Sequence, residues 1–95
     1  MKEILLSQGK VALVDNEDFE YLNQWKWFYY KKKDEHTGYA SRKKRMSEYG
    51  PINIMMHRVL FKNILPNLQV DHIDRDGLNN QRDNLRLCTP SQNLR

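Results

Sequence analysis

Cysteine is almost missing from this chain. The single Cys88 excludes an intramolecular disulfide framework and a cysteine-rich zinc finger. Long hydrophobic runs are missing too: none approaches the roughly 20 apolar residues that span a bilayer, so no membrane partner is expected. Residues 1–6 carry Lys2 and Glu3 and no long apolar core, so no secretory leader is expected. A lone thiol and no leader suit a reducing, cytoplasmic setting. Repeats and low-complexity segments are absent as well. Acidic side chains are outnumbered, with 12 Asp and Glu against 16 Lys and Arg, for a net charge of +4. That excess favours an anionic partner such as nucleic acid, although by itself it singles out no ligand.

What is present is enough for one small fold. The 95 residues are 39% hydrophobic, with two Trp, five Tyr and three Phe, which is not the composition of a disordered chain. A domain of this size buries only about 60–65% of its unfolded surface, so its core must be compact.

A turn signal at Gly50-Pro51 separates two textures, residues 1–50 and 51–95. In the first, residues 3–6 and 10–14 read as short strands joined across Gln8-Gly9. Asp15 or Asn16 can cap a helix over residues 17–24, with Phe19 and Leu22 on one face. Residues 25–32 read as an aromatic strand, 34–38 as a turn and 39–45 as the returning strand of a hairpin. The rings of residues 25–30 read as core rather than as stacking platforms. In the second texture, residues 52–54 suggest a strand, 55–62 a short helix stopped by Pro66, and 68–72 a strand. Residues 74–83 read as a polar loop and 85–88 as another strand, with Cys88 a small buried residue. Thr89, Pro90 and Gln92 announce a helix start with a capping box. Only residues 90–95 follow that signal, too few for a stable isolated helix, so either the fold holds this stub or the sequence belongs to a longer chain. The expected fold class is α+β: a small N-terminal antiparallel sheet with a short helix, then a strand-loop-strand-helix unit.

Four polar residues fall at informative places on that unit. Asp71 and His72 end its first strand, Asn84 precedes its second, and Asn93 lies one turn into its helix. Alone, Asp71-His72 reads as a polar strand end. Residues 72–83 also approach an EF-hand loop, but His72 and Asp83 occupy the end positions where Asp and Glu are wanted, so calcium sensing is not expected.

The series Val70-Asp71-His72-Ile73-Asp74, Asn79-Asn80, Asp83-Asn84-Leu85-Arg86 and Thr89-Pro90-Ser91-Gln92-Asn93 resembles the HNH endonuclease motif, or ββα-metal nuclease. It is nearest to the form found in phage and intron-encoded homing endonucleases. His57-Arg58 on the preceding helix fits the same pattern. The resemblance is clear over residues 51–95 and looser over Gln8-Gly9-Lys10 and Val14-Asp15. It implies a metal-dependent enzyme acting on double-stranded DNA in a bacterial or phage-infected cell. His72 would be the general base, and Asp71 and Asn93 the ligands of a divalent metal, Mg²⁺ or in its place Mn²⁺. Asn84 would brace the loop that carries the base. His72 must be neutral to act, so activity is expected to fall on the acid side of neutrality. Asn93 stands where many members have a third His, which narrows the subgroup. One site cuts one strand at a time, so nicking is expected unless two chains pair.

Adjacent strand residues point to opposite faces, so Asp71 and His72 share a site only where the strand bends. Lys31, Lys32 and Lys33 are expected to face Arg42, Lys43, Lys44 and Arg45 across the hairpin as a phosphate-tracking arm. Arg58 is a further candidate phosphate contact. His57 is read as a packed, structural histidine under the unit. A non-catalytic nucleic-acid-binding module on the same scaffold is the other reading of the pattern.

Overall fold

A computed structural model describes residues 1–46, 50–61 and 68–89. Among the described residues, eight short strands form three small sheets. β1 (Lys2–Leu5) and β2 (Val11–Val14) are antiparallel, joined by a 3-10 turn at Ser7–Gly9. Gln8 and Gly9 both take positive φ there, 62° and 71°, which is why a glycine sits in so tight a connection. α1 (Asn16–Leu22) follows, with Asp15 at its N-cap position. Asp15 makes no side-chain cap; its carboxylate instead accepts the backbone N–H of Arg82, at 3.4 Å.

The aromatic segment forms a shorter strand than its composition suggests. Only β3 (Phe28–Tyr30) pairs, with β4 (Tyr39–Met46). Upstream, the Trp27 indole N–H reaches the Leu22 carbonyl at 2.7 Å, and the Trp25 backbone N–H donates to the same carbonyl. Residues 25–27 therefore close the C-terminal end of α1 instead of extending the sheet. Trp27 lies in the core and Trp25 packs edge-on between it and Tyr21.

β5 (Gly50–Met55) pairs along β4, so Gly50 and Pro51 open a strand rather than only mark a turn. β5 is an edge strand, where a proline is tolerated because one side needs no N–H. This register corrects the expected basic arm. β4 pairs with β3 only through Tyr39, Ala40 and Ser41; Arg42 to Arg45 lie opposite Ile54, Asn53, Ile52 and Pro51 of β5. Lys31–33 thus do not face them. α2 is short, Met56–Val59.

β6 (Gln69–His72) and β8 (Leu85–Cys88) form an antiparallel pair, with Asp71 opposite Arg86 and His72 opposite Leu85. Between them the polar loop contains a two-residue strand, β7 (Asn79–Asn80), and a 3-10 turn at Arg82–Asn84. β7 pairs in parallel with β2 of the N-terminal sheet. The expected helix over 90–95 lies outside the described residues. One apolar cluster collects Ile4, Val14, Leu22, Trp27, Ala40, Met56, Val70 and Leu85, so all three sheets close on one core. Cys88 is buried. No helix among the described residues is long and apolar enough to cross a membrane.

Candidate active site

β6 alternates half-buried and buried residues, which turns Val70 and His72 inward and leaves Gln69 and Asp71 outward. The chain bends directly after His72. Ile73 N–H donates to the Asn84 carbonyl at 2.8 Å, Arg75 N–H donates to the His72 carbonyl at 3.0 Å, and Arg75 takes φ 65°. Asp71 and His72, with the β6 residues before them, line one cleft of about 740 Å³.

The loop beyond the bend is organised by Asp74. Its Oδ1 accepts from Asp76 N–H at 2.9 Å and from Asn84 Nδ2 at 2.8 Å, and its Oδ2 accepts from Asn79 Nδ2 at 2.9 Å. Asn84 completes the brace: its Oδ1 accepts from Asp74 N–H at 3.0 Å and its Nδ2 also donates to the Asn79 carbonyl at 2.9 Å. Burial pulls the Asp74 carboxyl upward, but the hydrogen bonds from Asn79, Asp76 and Asn84, with nearby His72, outweigh it and hold the group below its ordinary value.

His72 is buried, and its Nε2 lies 2.8 Å from Asn80 Oδ1. The His57 ring stands edge-on to it at 4.8 Å, and Tyr39 tilts against both imidazoles. Burial, then His72 and Arg58, push His57 down to about 3, so this imidazole is neutral in the working range. Burial, with Glu35 and Asp71 adding to it, raises the Tyr39 hydroxyl above its ordinary value. The His57 shift carries a stability consequence. The unfolded chain takes up a proton near 6.5 and the folded one only near 3, so acidification through that window favours unfolding. The unfolding temperature is expected to fall as pH drops below about 6.5, and His57→Phe to flatten that fall in calorimetric scans at a series of pH values. An equally steep fall in the variant would remove His57 as the cause.

The β3–β4 loop docks on this assembly. Gly77 N–H donates to Thr37 Oγ1 at 3.0 Å, and a Cβ at Gly77 would fall 2.2 Å from the Gly38 carbonyl oxygen. Only glycine permits that approach. The docking brings Lys32 and His36 to the cleft beside Arg58 and Arg75. Lys32, Arg58 and Arg75 outnumber the carboxylates of Glu35 and Asp71 in the lining, which suits an anionic ligand. Asp71 Oδ2 is gripped from the flank by Arg86, with Nε and Nη2 each at 3.0 Å. On the far side, Arg82 forms a two-pronged pair with Asp18, both contacts 2.9 Å, tying α1 to the end of the loop.

Several residues singled out from the sequence meet here: Asp71, His72, His57, Arg58 and Lys32 line the cleft, and Asn84 braces the loop behind it. Lys31 and Lys33 are exposed beside Lys32. The β4 cations are placed differently. Arg42 stacks over the Trp25 ring at 4.3 Å, and Lys43 borders a separate hollow with Leu5 and Phe28. Asn93 lies outside the described residues. Among those described, no cluster of three or more His, Cys, Asp or Glu is placed to hold a metal ion. Sequence reasoning gave no role to Asp74, Asn79 and Asn80, which stood inside the motif, and passed over Thr37 and Arg75; the Asp74-x-Asp76-Gly77 spacing carried a turn signal for the first of these.

Comparison with known proteins bears on the same stretch. The model of the HNH endonuclease family matches residues 54–95. An uncharacterised HNH endonuclease of Acanthamoeba polyphaga mimivirus is 32% identical over 96 residues, covering 94% of this chain and 46% of that protein. The chain thus spans about half the length of this curated relative. No solved structure matches it. Residues 54–95 of the chain thus belong to the HNH endonuclease family.

Proposed function

We propose that the chain is a divalent-metal-dependent DNA endonuclease that hydrolyses phosphodiester bonds and, with one site per chain, nicks duplex DNA. The observation that carries this reading is the end of β6, where a carboxylate, Asp71, and an imidazole, His72, line one cleft with Lys32, Arg58 and Arg75. His72 takes a proton from water, the water oxygen attacks phosphorus, and the bond from phosphorus to the leaving oxygen breaks, that oxygen then being protonated from solvent. Asp71 and Asn93 are the residues that would hold the metal. A carboxylate and an amide oxygen fit Mg²⁺ or Mn²⁺ in kind, because such ions keep waters and accept substrate oxygens rather than require a full protein cage. When bound, the ion supplies charge stabilisation at the phosphoryl group. Arg86 holds the Asp71 carboxylate from one side. Asn84 acts through the loop, not on the substrate.

The phage and intron-encoded form of the family is the subgroup the residue pattern favours. The test is supercoiled plasmid incubated with the protein and Mg²⁺ or Mn²⁺, with and without chelator. Conversion to the nicked circle that chelator stops is expected. Absence of nicking by a folded sample that still binds duplex DNA would favour the non-catalytic binding module.

Phosphate contacts are assigned to the exposed cations at and beside the cleft: Lys31, Lys32, Lys33 and Arg58, with the β4 side chains of Lys43, Lys44 and Arg45 as a secondary set. Substituting Lys32→Gln with Arg58→Gln is expected to weaken duplex binding about tenfold and to lower the slope of log affinity against log salt by about 2. Substituting Lys43→Gln with Lys44→Gln is expected to do less. Fluorescence anisotropy across a salt series reads both; equal losses from the two pairs would place DNA along β4 as well.

A further inference from the structure

We propose that Asn80 is the positioning residue of the site: its Oδ1 accepts the Nε2 proton of His72 and so fixes the tautomer that leaves Nδ1 as the basic nitrogen. The proposal rests on the reading of His72 as the base, but its first test requires no activity.

The chemistry follows from one contact. An amide oxygen carries no hydrogen, so the 2.8 Å approach of Asn80 Oδ1 puts the hydrogen on Nε2. A neutral imidazole has one N–H, and with it on Nε2 the lone pair is on Nδ1. A base needs that lone pair directed at water, and a ring free to exchange tautomers offers it only part of the time.

Asn80 is an unusual residue to find where it is. It is fully buried, and among the described residues its Nδ2 is buried with no hydrogen-bond partner. Buried amides are normally satisfied at both ends, and a leucine would fill a similar volume with no unmet group. What asparagine supplies that leucine lacks is the oxygen on His72.

That oxygen is aimed by the N-terminal sheet. Asn80 lies beside Val14 and Asn79 beside Leu13 in the parallel β2–β7 register, and Leu13 N–H donates to the Leu78 carbonyl at 2.8 Å. Successive strand residues point to opposite sides. Asn79 therefore turns to Asp74 and Gln81, while Asn80 turns to His72. A strand of two residues thus serves both the loop brace and the base, and residues 11–14 contribute to the site without touching substrate. The His57 ring also packs edge-on against the His72 ring.

The test is a long-range ¹H–¹⁵N correlation spectrum of the full chain labelled at its three histidines, at a pH where His72 is neutral. His72 is expected to show a protonated Nε2 and an unprotonated Nδ1. A protonated Nδ1 in the wild-type spectrum overturns the proposal. In Asn80→Leu, with its fold checked by circular dichroism, the His72 signals are expected to move to a mixture of tautomers, and kcat for nicking to fall about 10- to 100-fold at unchanged KM. A folded Asn80→Leu that keeps Nε2 fully protonated also overturns it. If that variant does not fold, the wild-type spectrum decides. A wild-type spectrum with the expected tautomer and no nicking would leave the positioning intact and remove the nuclease reading.

Discussion

Substituting His72→Ala is expected to lower plasmid nicking about 10³-fold while leaving duplex affinity within about twofold. A positioned general base contributes about 10²–10⁴ to such a reaction, and His72 ends β6 in the cleft beside Asp71. Affinity should survive because the phosphate contacts assigned above come from Lys32, Arg58 and their neighbours, not from the imidazole. The substitution also removes ring contacts with His57 and Tyr39 and leaves Asn80 Oδ1 without its partner, which costs about 1–3 kcal/mol. Stability must therefore be measured beside activity, and nicking compared at a temperature where both proteins are folded. Under those conditions chelator should bring the wild type to the same low rate. Nicking by folded His72→Ala within tenfold of wild type would mean that another group removes the proton.

The fold was legible in sequence where pattern and local chemistry agreed. The strand ending at His72 alternates half-buried and buried residues, and both it and the strand beginning at Leu85 were expected within a residue of where they lie. The Asp71-His72 pair was legible because the residues that frame it recur in order along the chain. The remainder depended on contacts distant in sequence. β7 consists of two asparagines, a residue type depleted in strands, and it forms because β2 offers an edge more than 60 residues earlier. No local signal announces such a strand, so Asn80 had no visible role. The basic hairpin failed for a related reason. Composition marked Lys31–33 and Arg42–Arg45 as one charged ribbon, but register is set by which side chains are buried, and Ala40 and Ser41 are the fully buried pair of β4. Trp25 and Trp27 looked like strand residues by propensity; their rings, and the indole N–H of Trp27, were claimed by the end of α1 instead.

The second large effect is expected at the loop brace. Asn84→Ala removes two hydrogen bonds to Asp74 and one to the Asn79 carbonyl. At about 1 kcal/mol each, with somewhat more for the bond to the carboxylate, the loss is about 3 kcal/mol. In a domain of this size that lowers the unfolding temperature by about 12–24 °C. The effect reaches the site because Asn84 closes the loop from its far end: its carbonyl receives Ile73 N–H, and its side chain fixes Asp74 and Asn79, the residues flanking the bend and β7. Nicking should fall with stability at 37 °C and recover to within about tenfold of wild type on cooling, because the base and Asp71 remain. That recovery separates a brace from a reacting group, since His72→Ala stays inactive at every temperature. Acid should act on the same network. The hydrogen bonds that hold the Asp74 carboxyl low contribute stability above its ordinary value of 3.8, and that contribution is lost as pH falls through the lower value of the folded protein. An Asn84→Ala protein that melts within about 3 °C of wild type would show that Asp74 and the β2–β7 pairing hold the loop without it.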